Sequence, residues 1–151
     1  MIEVNRIVCP TDFSPTSSRA VDYAATLADS LGAELVLLHV IPEMTYPLRS
    51  FGMSSSFPHL KEELHERARD ALRDRIAEVH KKLPNVKARP ELRDGESHEV
   101  VLACAKDEKA DMIVMGTHGH TGLTHALLGS TAEKVVRMAD CPVLTVRTPE
   151  E

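Results

Sequence analysis

Five short apolar or half-apolar runs alternate along this chain with segments of helical period, and that alternation restricts the fold more than any other feature. The runs at 7–9, 35–40, 112–115 and 141–146 carry too little polarity for either side to face water. Strands of that kind belong to a parallel sheet covered on both faces. The run around Val86, Ala88 and Leu92 differs, because Lys87, Arg89, Glu91 and Arg93 alternate with the apolar residues and Pro90 interrupts them. Period-two polarity with a proline predicts a sheet edge. Between the runs, Val21, Ala24, Ala28 and Leu31 form a helical stripe that Ser14 and Pro15 can open and Gly32 can close. Leu60, Leu64, Ala68, Leu72, Ile76, Val79 and Leu83 form a longer one. A shorter helix is expected over 97–106, and a last one from Ser130 with Val135, Val136 and Ala139 inward. Strand and helix in strict alternation predict an α/β fold with helices on both faces of a parallel sheet. Ligands of such folds sit beyond the carboxyl ends of the strands, where the strand order reverses.

The 151 residues suit a single domain, 1–151. Lys plus Arg number 18 against 23 Asp plus Glu, a net charge of −5, which argues against nucleic acid or an anionic membrane as partner. No apolar stretch approaches the roughly 20 residues of a membrane span, and residues 1–6 show no secretory leader. Cys9, Cys104 and Cys141 are odd in number and lie in apolar runs, so they are expected as buried free thiols of a cytoplasmic protein.

Chemistry is sought just after the strands. Gly116-Thr117-His118-Gly119-His120-Thr121-Gly122 follows the fourth run, and Gly129-Ser130-Thr131 opens the last helix. A glycine-rich turn between a parallel strand and a helix can cradle phosphate with backbone N–H groups, aided by the helix dipole. The same glycines can also do no more than shape a turn. Ser130 and Glu133 match a capping box, which would make Ser130 a plain N-cap. After the first run, Asp12 could accept hydrogen bonds from ribose hydroxyls or a base amine, or could cap the turn into the first helix.

Gly116, Gly119, Gly129 and Ser130 stand at the spacing G-x2-G-x9-G-[S/T], which resembles the signature of the ATP-binding branch of the universal stress protein family. The likeness extends to Pro-Thr-Asp-Phe-Ser at 10–14, Ala-Asp-Met-Ile-Val-Met-Gly at 110–116 and Cys-Pro-Val-Leu at 141–144. The resemblance implies an open five-stranded parallel sheet in order 3-2-1-4-5, of the Rossmann-like, adenine nucleotide alpha hydrolase-like kind. It implies an adenine nucleotide (ATP, ADP or AMP, with Mg2+ as a companion) at the gap between strands one and four. Pro10, Thr11, Asp12 and Val40 would line base and ribose, and Met115, Gly116, His118, Gly119, Gly129, Ser130 and Thr131 would surround ribose and phosphates. It also implies a homodimer joined through the fifth strands, which the apolar last run fits independently as an edge that invites pairing.

Where such members often carry Arg or Lys, this chain has His120 and His125. An unperturbed imidazole gains charge near pH 6.5, so ATP affinity is expected to rise as pH falls from 8 to 6. His118, His120 and His125 lack a fourth ligand at zinc-site spacing, and no metal is expected there. There is no G-x4-G-K-[S/T] motif, and no arginine lies within 116–131, so fast hydrolysis is not expected. The resulting expectation is a nucleotide-dependent stress-response regulator with little or no turnover. Alternatives are a slow ATPase or phosphotransfer enzyme, and a flavodoxin-like FMN carrier, for which two Tyr and no Trp leave little to stack a flavin. Residues 42–58 read as a long connection holding Tyr46, Phe51 and Phe57, a candidate lid or docking surface for a regulatory protein.

Overall fold

The computed structural model describes residues 1–43, 57–118 and 128–149. Five strands and four helices alternate in it: β1 (Arg6–Pro10), α1 (Pro15–Leu31), β2 (Glu34–Ile41), α2 (Phe57–Lys82), β3 (Lys87–Asp94), α3 (Ser97–Asp107), β4 (Met112–Gly116), α4 (Ser130–Met138) and β5 (Val143–Val146). All four strand pairings are parallel, in the order β3-β2-β1-β4-β5. The chain therefore starts in the middle of the sheet, runs outward to β3, and crosses back over β1 to β4. The reversal of direction falls between β1 and β4.

Period-two alternation divides the core into two layers. Ile7, Cys9, Leu35, Leu37 and Val114 face α1 and α2, while Val8, Val36, Leu38, Ile113 and Met115 face α3 and α4. Alanines at 20, 24, 25 and 28 give α1 a smooth inner face, with no more than 1% of any of them exposed. The helix begins where expected, with Ser14 Oγ accepting the Ser17 N–H at 3.2 Å and Pro15 at the first position. It ends at Gly32, whose φ of 65° is the left-handed conformation that lets Ala33 N–H reach the Ala28 carbonyl at 2.9 Å.

β3 is the edge that its polarity announced, and Pro90 sits opposite Leu37. Ala88 and Leu92 pack under α2, while the charged side chains of β3 form an ionic lattice on the other face. Arg89 pairs with Glu34 at 2.6 Å and with Glu108, while Arg93 reaches Glu91 at 3.0 Å and Asp107 at 2.8 Å. β5 is shorter than its apolar run, because Pro142 has no N–H to donate and only its carbonyl joins the sheet, accepting Ile113 N–H at 2.9 Å. Cys9 and Cys104 are buried free thiols as expected, whereas Cys141, in the turn before β5, is only half-buried. Of the connection expected over 42–58, residues 44–56, with Tyr46 and Phe51, lie outside the described residues, and α2 starts at Phe57.

Candidate functional site

The carboxyl edge between β1 and β4 is built from two loops, each pinned to its neighbours. On the β1 side, Thr11 N–H donates to the Leu38 carbonyl at 2.8 Å, one residue beyond the strand. His39 Nδ1 lies 2.7 Å from the Thr11 carbonyl, and because a carbonyl only accepts, that nitrogen carries a proton. Thr11 Oγ1 accepts Phe13 N–H at 3.1 Å and lies 3.1 Å from Ser17 Oγ. Asp12 Oδ1 accepts from Ser14 N–H at 3.0 Å and from Ser17 Oγ–H at 2.8 Å. Phe13 takes a φ of 63°, a left-handed conformation that costs a bulky residue energy. Its ring packs on His39 with centroids 4.6 Å apart, which offsets part of that cost. The turn thus holds Asp12 at the mouth of α1 through its own backbone and through β2.

On the β4 side, buried Thr117 is the hub. Its N–H donates to the Val146 carbonyl at 3.0 Å, and its carbonyl accepts Gly129 N–H at 2.6 Å. Thr117 and Gly129 therefore meet directly. A Cβ at Gly116 would lie 2.9 Å from Thr16 Cγ2, and one at Gly129 would lie 3.0 Å from the Thr117 carbonyl oxygen. These two glycines allow β4, the first turn of α1 and the start of α4 to converge.

The capping box expected at Ser130 is not formed. Gly129, held extended at φ −70° and ψ 167°, occupies the N-cap position, and no side chain among the described residues caps α4. The bond to Thr117 fixes Gly129 and starts the helix so that Ser130 is its first residue. Glu133 instead gives its N–H to the Gly129 carbonyl at 2.9 Å and its carboxylate to Arg137. The N–H groups of the first turn have no helical acceptors, and such a helix end favours an anion. His118 Nδ1 lies 3.0 Å from Thr117 Oγ1, and its buried Nε2 has no partner among the described residues. An open helix end and an unsatisfied ring nitrogen fit a phosphate-bearing ligand.

Of the expected site residues, Pro10, Thr11 and Asp12 lie at the end of β1, and Gly116, His118, Gly129, Ser130 and Thr131 lie on the β4 side. Val40 is half-buried near the end of β2. Met115 is only 5% exposed, packed in the core beneath the edge, so its backbone is what it can offer a ligand. Gly119, His120 and His125 lie outside the described residues. His39, Phe13, Ser17 and Thr117, which hold the two loops, were not anticipated; the lone polar His39 within an apolar strand was the available signal. A separate groove of about 330 Å³, lined by Leu102, Ala105, Lys109, Ile113, Met138 and Cys141, opens at the opposite edge of the sheet.

The chain is similar to proteins of known family. Universal stress protein MJ0531 of Methanocaldococcus jannaschii is 36% identical over 97% of this chain and 84% of the relative. Universal stress protein MJ0577 of the same organism is 32% identical over 94% of each chain. Its solved structure superposes with a TM-score of 0.81 over 99% of this chain and 100% of that one. A universal stress protein solved in complex with cAMP, 24% identical, matches in fold with a TM-score of 0.73 over 98% of this chain and 100% of that one. The family model of the universal stress proteins matches residues 3–147. This chain belongs to the universal stress protein family.

Proposed function

We propose that the crevice between β1 and β4 binds an adenine nucleotide and that the protein acts as a nucleotide-dependent regulator of a stress response. The observation that carries this reading is the convergence of Asp12, held by Ser14 and Ser17, with the uncapped first turn of α4 at the sheet's switch point. Asp12 would accept from the ribose hydroxyls beside Pro10, Thr11 and Val40. Backbone N–H groups of Ser130 and Thr131, with Gly116, Gly119, Gly129 and His118, would hold the phosphates, and Met115 would contribute main chain. ATP would enter as its Mg2+ chelate. One neighbour of the same fold was solved with an adenine nucleotide, cAMP, which is the same ligand class.

Holding rather than hydrolysing suits these residues. Asp12 is assigned to the ribose and the amides of Ser130 and Thr131 to the phosphates, while Thr11, Ser17, His39 and Thr117 hold the loops, so no described residue at the edge is assigned to activating water. Nucleotide at 100 times its dissociation constant would stabilise the loaded form by about 2.7 kcal/mol, enough to separate loaded from empty protein. We place the protein in the cytoplasm, where its three free thiols stay reduced. We also read it as a homodimer joined through β5, whose Leu144, on the same face as Val114, is 38% exposed.

Mass spectrometry of small molecules released from the denatured purified protein tests the reading. Stoichiometric ATP, ADP or AMP supports it. Protein that arrives empty and shows no calorimetric binding of any of the three overturns it, and steady phosphate release from ATP favours an enzyme.

A further inference from the structure

The first two turns of α2 have almost nothing to rest on. Residues 58–63 are all exposed, Leu64 and His65 are half-buried, and Ala68 is the first buried residue of the helix. Among the described residues, the polar tie between that end and the sheet runs through His65. Its Nε2 lies 2.9 Å and 3.0 Å from the two carboxylate oxygens of Asp94, the last residue of β3, while its Nδ1 lies 2.6 Å from the Lys61 carbonyl. Both partners are acceptors, so both ring nitrogens must carry protons, and only the imidazolium satisfies the arrangement. Asp94 is itself fixed, because the next residue, Gly95, donates its N–H to the Ile41 carbonyl at 3.0 Å.

We propose that His65 and Asp94 form a proton-operated latch that fastens the start of α2 to the carboxyl end of β3. The charged groups facing the ring are Asp94 from β3 and Arg69 from α2 itself. β2 presents apolar Ile41 opposite Asp94, and its nearest ring, His39, is committed to Thr11. The hydrogen bonds to the Lys61 carbonyl and to Asp94 hold the His65 pKa above the ordinary histidine range, against partial burial and Arg69. A group whose folded pKa is raised contributes fully below its unfolded value, near 6.5, and loses that contribution as pH rises through the folded value. The latch is closed below the ordinary histidine pKa and opens as pH rises through the raised value of His65. It does not depend on whether the β1–β4 crevice binds nucleotide.

The test is an NMR pH titration of the intact protein, with imidazole nitrogen shifts for His65 and amide-exchange protection factors for residues 60–66. The proposal expects protons on both ring nitrogens at pH 6, a midpoint above 6.5, and a loss of protection in 60–66 between pH 6 and pH 8. Asp94→Asn, which keeps the side-chain shape, should show the low protection already at pH 6, and His65→Gln should make protection independent of pH. A midpoint at or below 6.5 overturns the latch, as does equal protection at pH 6 and 8 in the wild type. Protection in Asp94→Asn equal to that of the wild type at pH 6 overturns it too.

Discussion

Replacing Asp12 separates its two roles. Asp12→Ala removes the acceptor for Ser14 N–H at 3.0 Å and for Ser17 Oγ–H at 2.8 Å, at the entrance to a 17-residue helix. Hydrogen bonds to charged groups contribute about 1.5–3 kcal/mol each when buried. Asp12 is only half-buried and water can replace part of both bonds, so the variant should lose about 2 kcal/mol in total. For a chain of this length each kcal/mol lowers Tm by about 2–4 °C, which gives a fall of about 4–8 °C. Asp12→Asn keeps an oxygen at the Oδ1 position and should lose about half as much stability. Toward nucleotide the order changes, because ribose hydroxyls lose a charged acceptor in both variants. Each should bind ATP about 10- to 100-fold more weakly, corresponding to about 1.4–2.8 kcal/mol. Differential scanning fluorimetry gives the Tm values and titration calorimetry the affinities. Wild-type affinity in Asp12→Asn would refute the ribose role, and an unchanged Tm in Asp12→Ala would refute the capping role.

Four further outcomes follow from the packing. Gly116→Val should destabilise by about 1–3 kcal/mol in urea unfolding, since its Cβ would sit 2.9 Å from Thr16 Cγ2 and 3.3 Å from the Thr16 main chain. Lys109 holds a φ of 51° after α3, so Lys109→Gly should raise stability by about 1 kcal/mol, and a lowered urea midpoint would contradict that. Burial pushes the Cys9 thiol up to about 12 and the Cys104 thiol up to about 11, so iodoacetamide on the native protein at pH 8 should modify half-buried Cys141 first; early modification of Cys9 would contradict its complete burial. Leu144→Lys places a charge on the exposed side of β5 and should yield a monomer in light-scattering chromatography, whereas an unchanged dimer would move the interface elsewhere.

The sequence and the fold agree most closely where periodicity is physical necessity. A strand hidden on both sides must be apolar throughout, so β1, β2 and β4 stood out, and β3 revealed itself as an edge through alternating charge and Pro90. Helix α1 was legible at both ends because Ser14, Pro15 and Gly32 each act through local backbone geometry. The order of the strands came from family resemblance, since periodicity says nothing about which strand pairs with which. What the residues left open or did not reveal shares a cause. Ser130 lost the N-cap to Gly129 because Thr117, twelve residues earlier, holds Gly129 in place. His39 buttresses the Asp12 turn through Thr11 and Phe13, across 28 and 26 residues of chain, and no local pattern encodes contacts of that span. At the site, Asp12 and the glycine elements were readable as residues, while the contacts that orient them were not.

Crystals grown with Mg-ATP locate the nucleotide. The ribose hydroxyls should lie against the Asp12 carboxylate, with phosphate oxygens at the main-chain amides of Ser130 and Thr131. Nucleotide seated in the groove between α3 and α4, or a β1–β4 crevice filled by the protein's own side chains at saturating ATP, would contradict that placement.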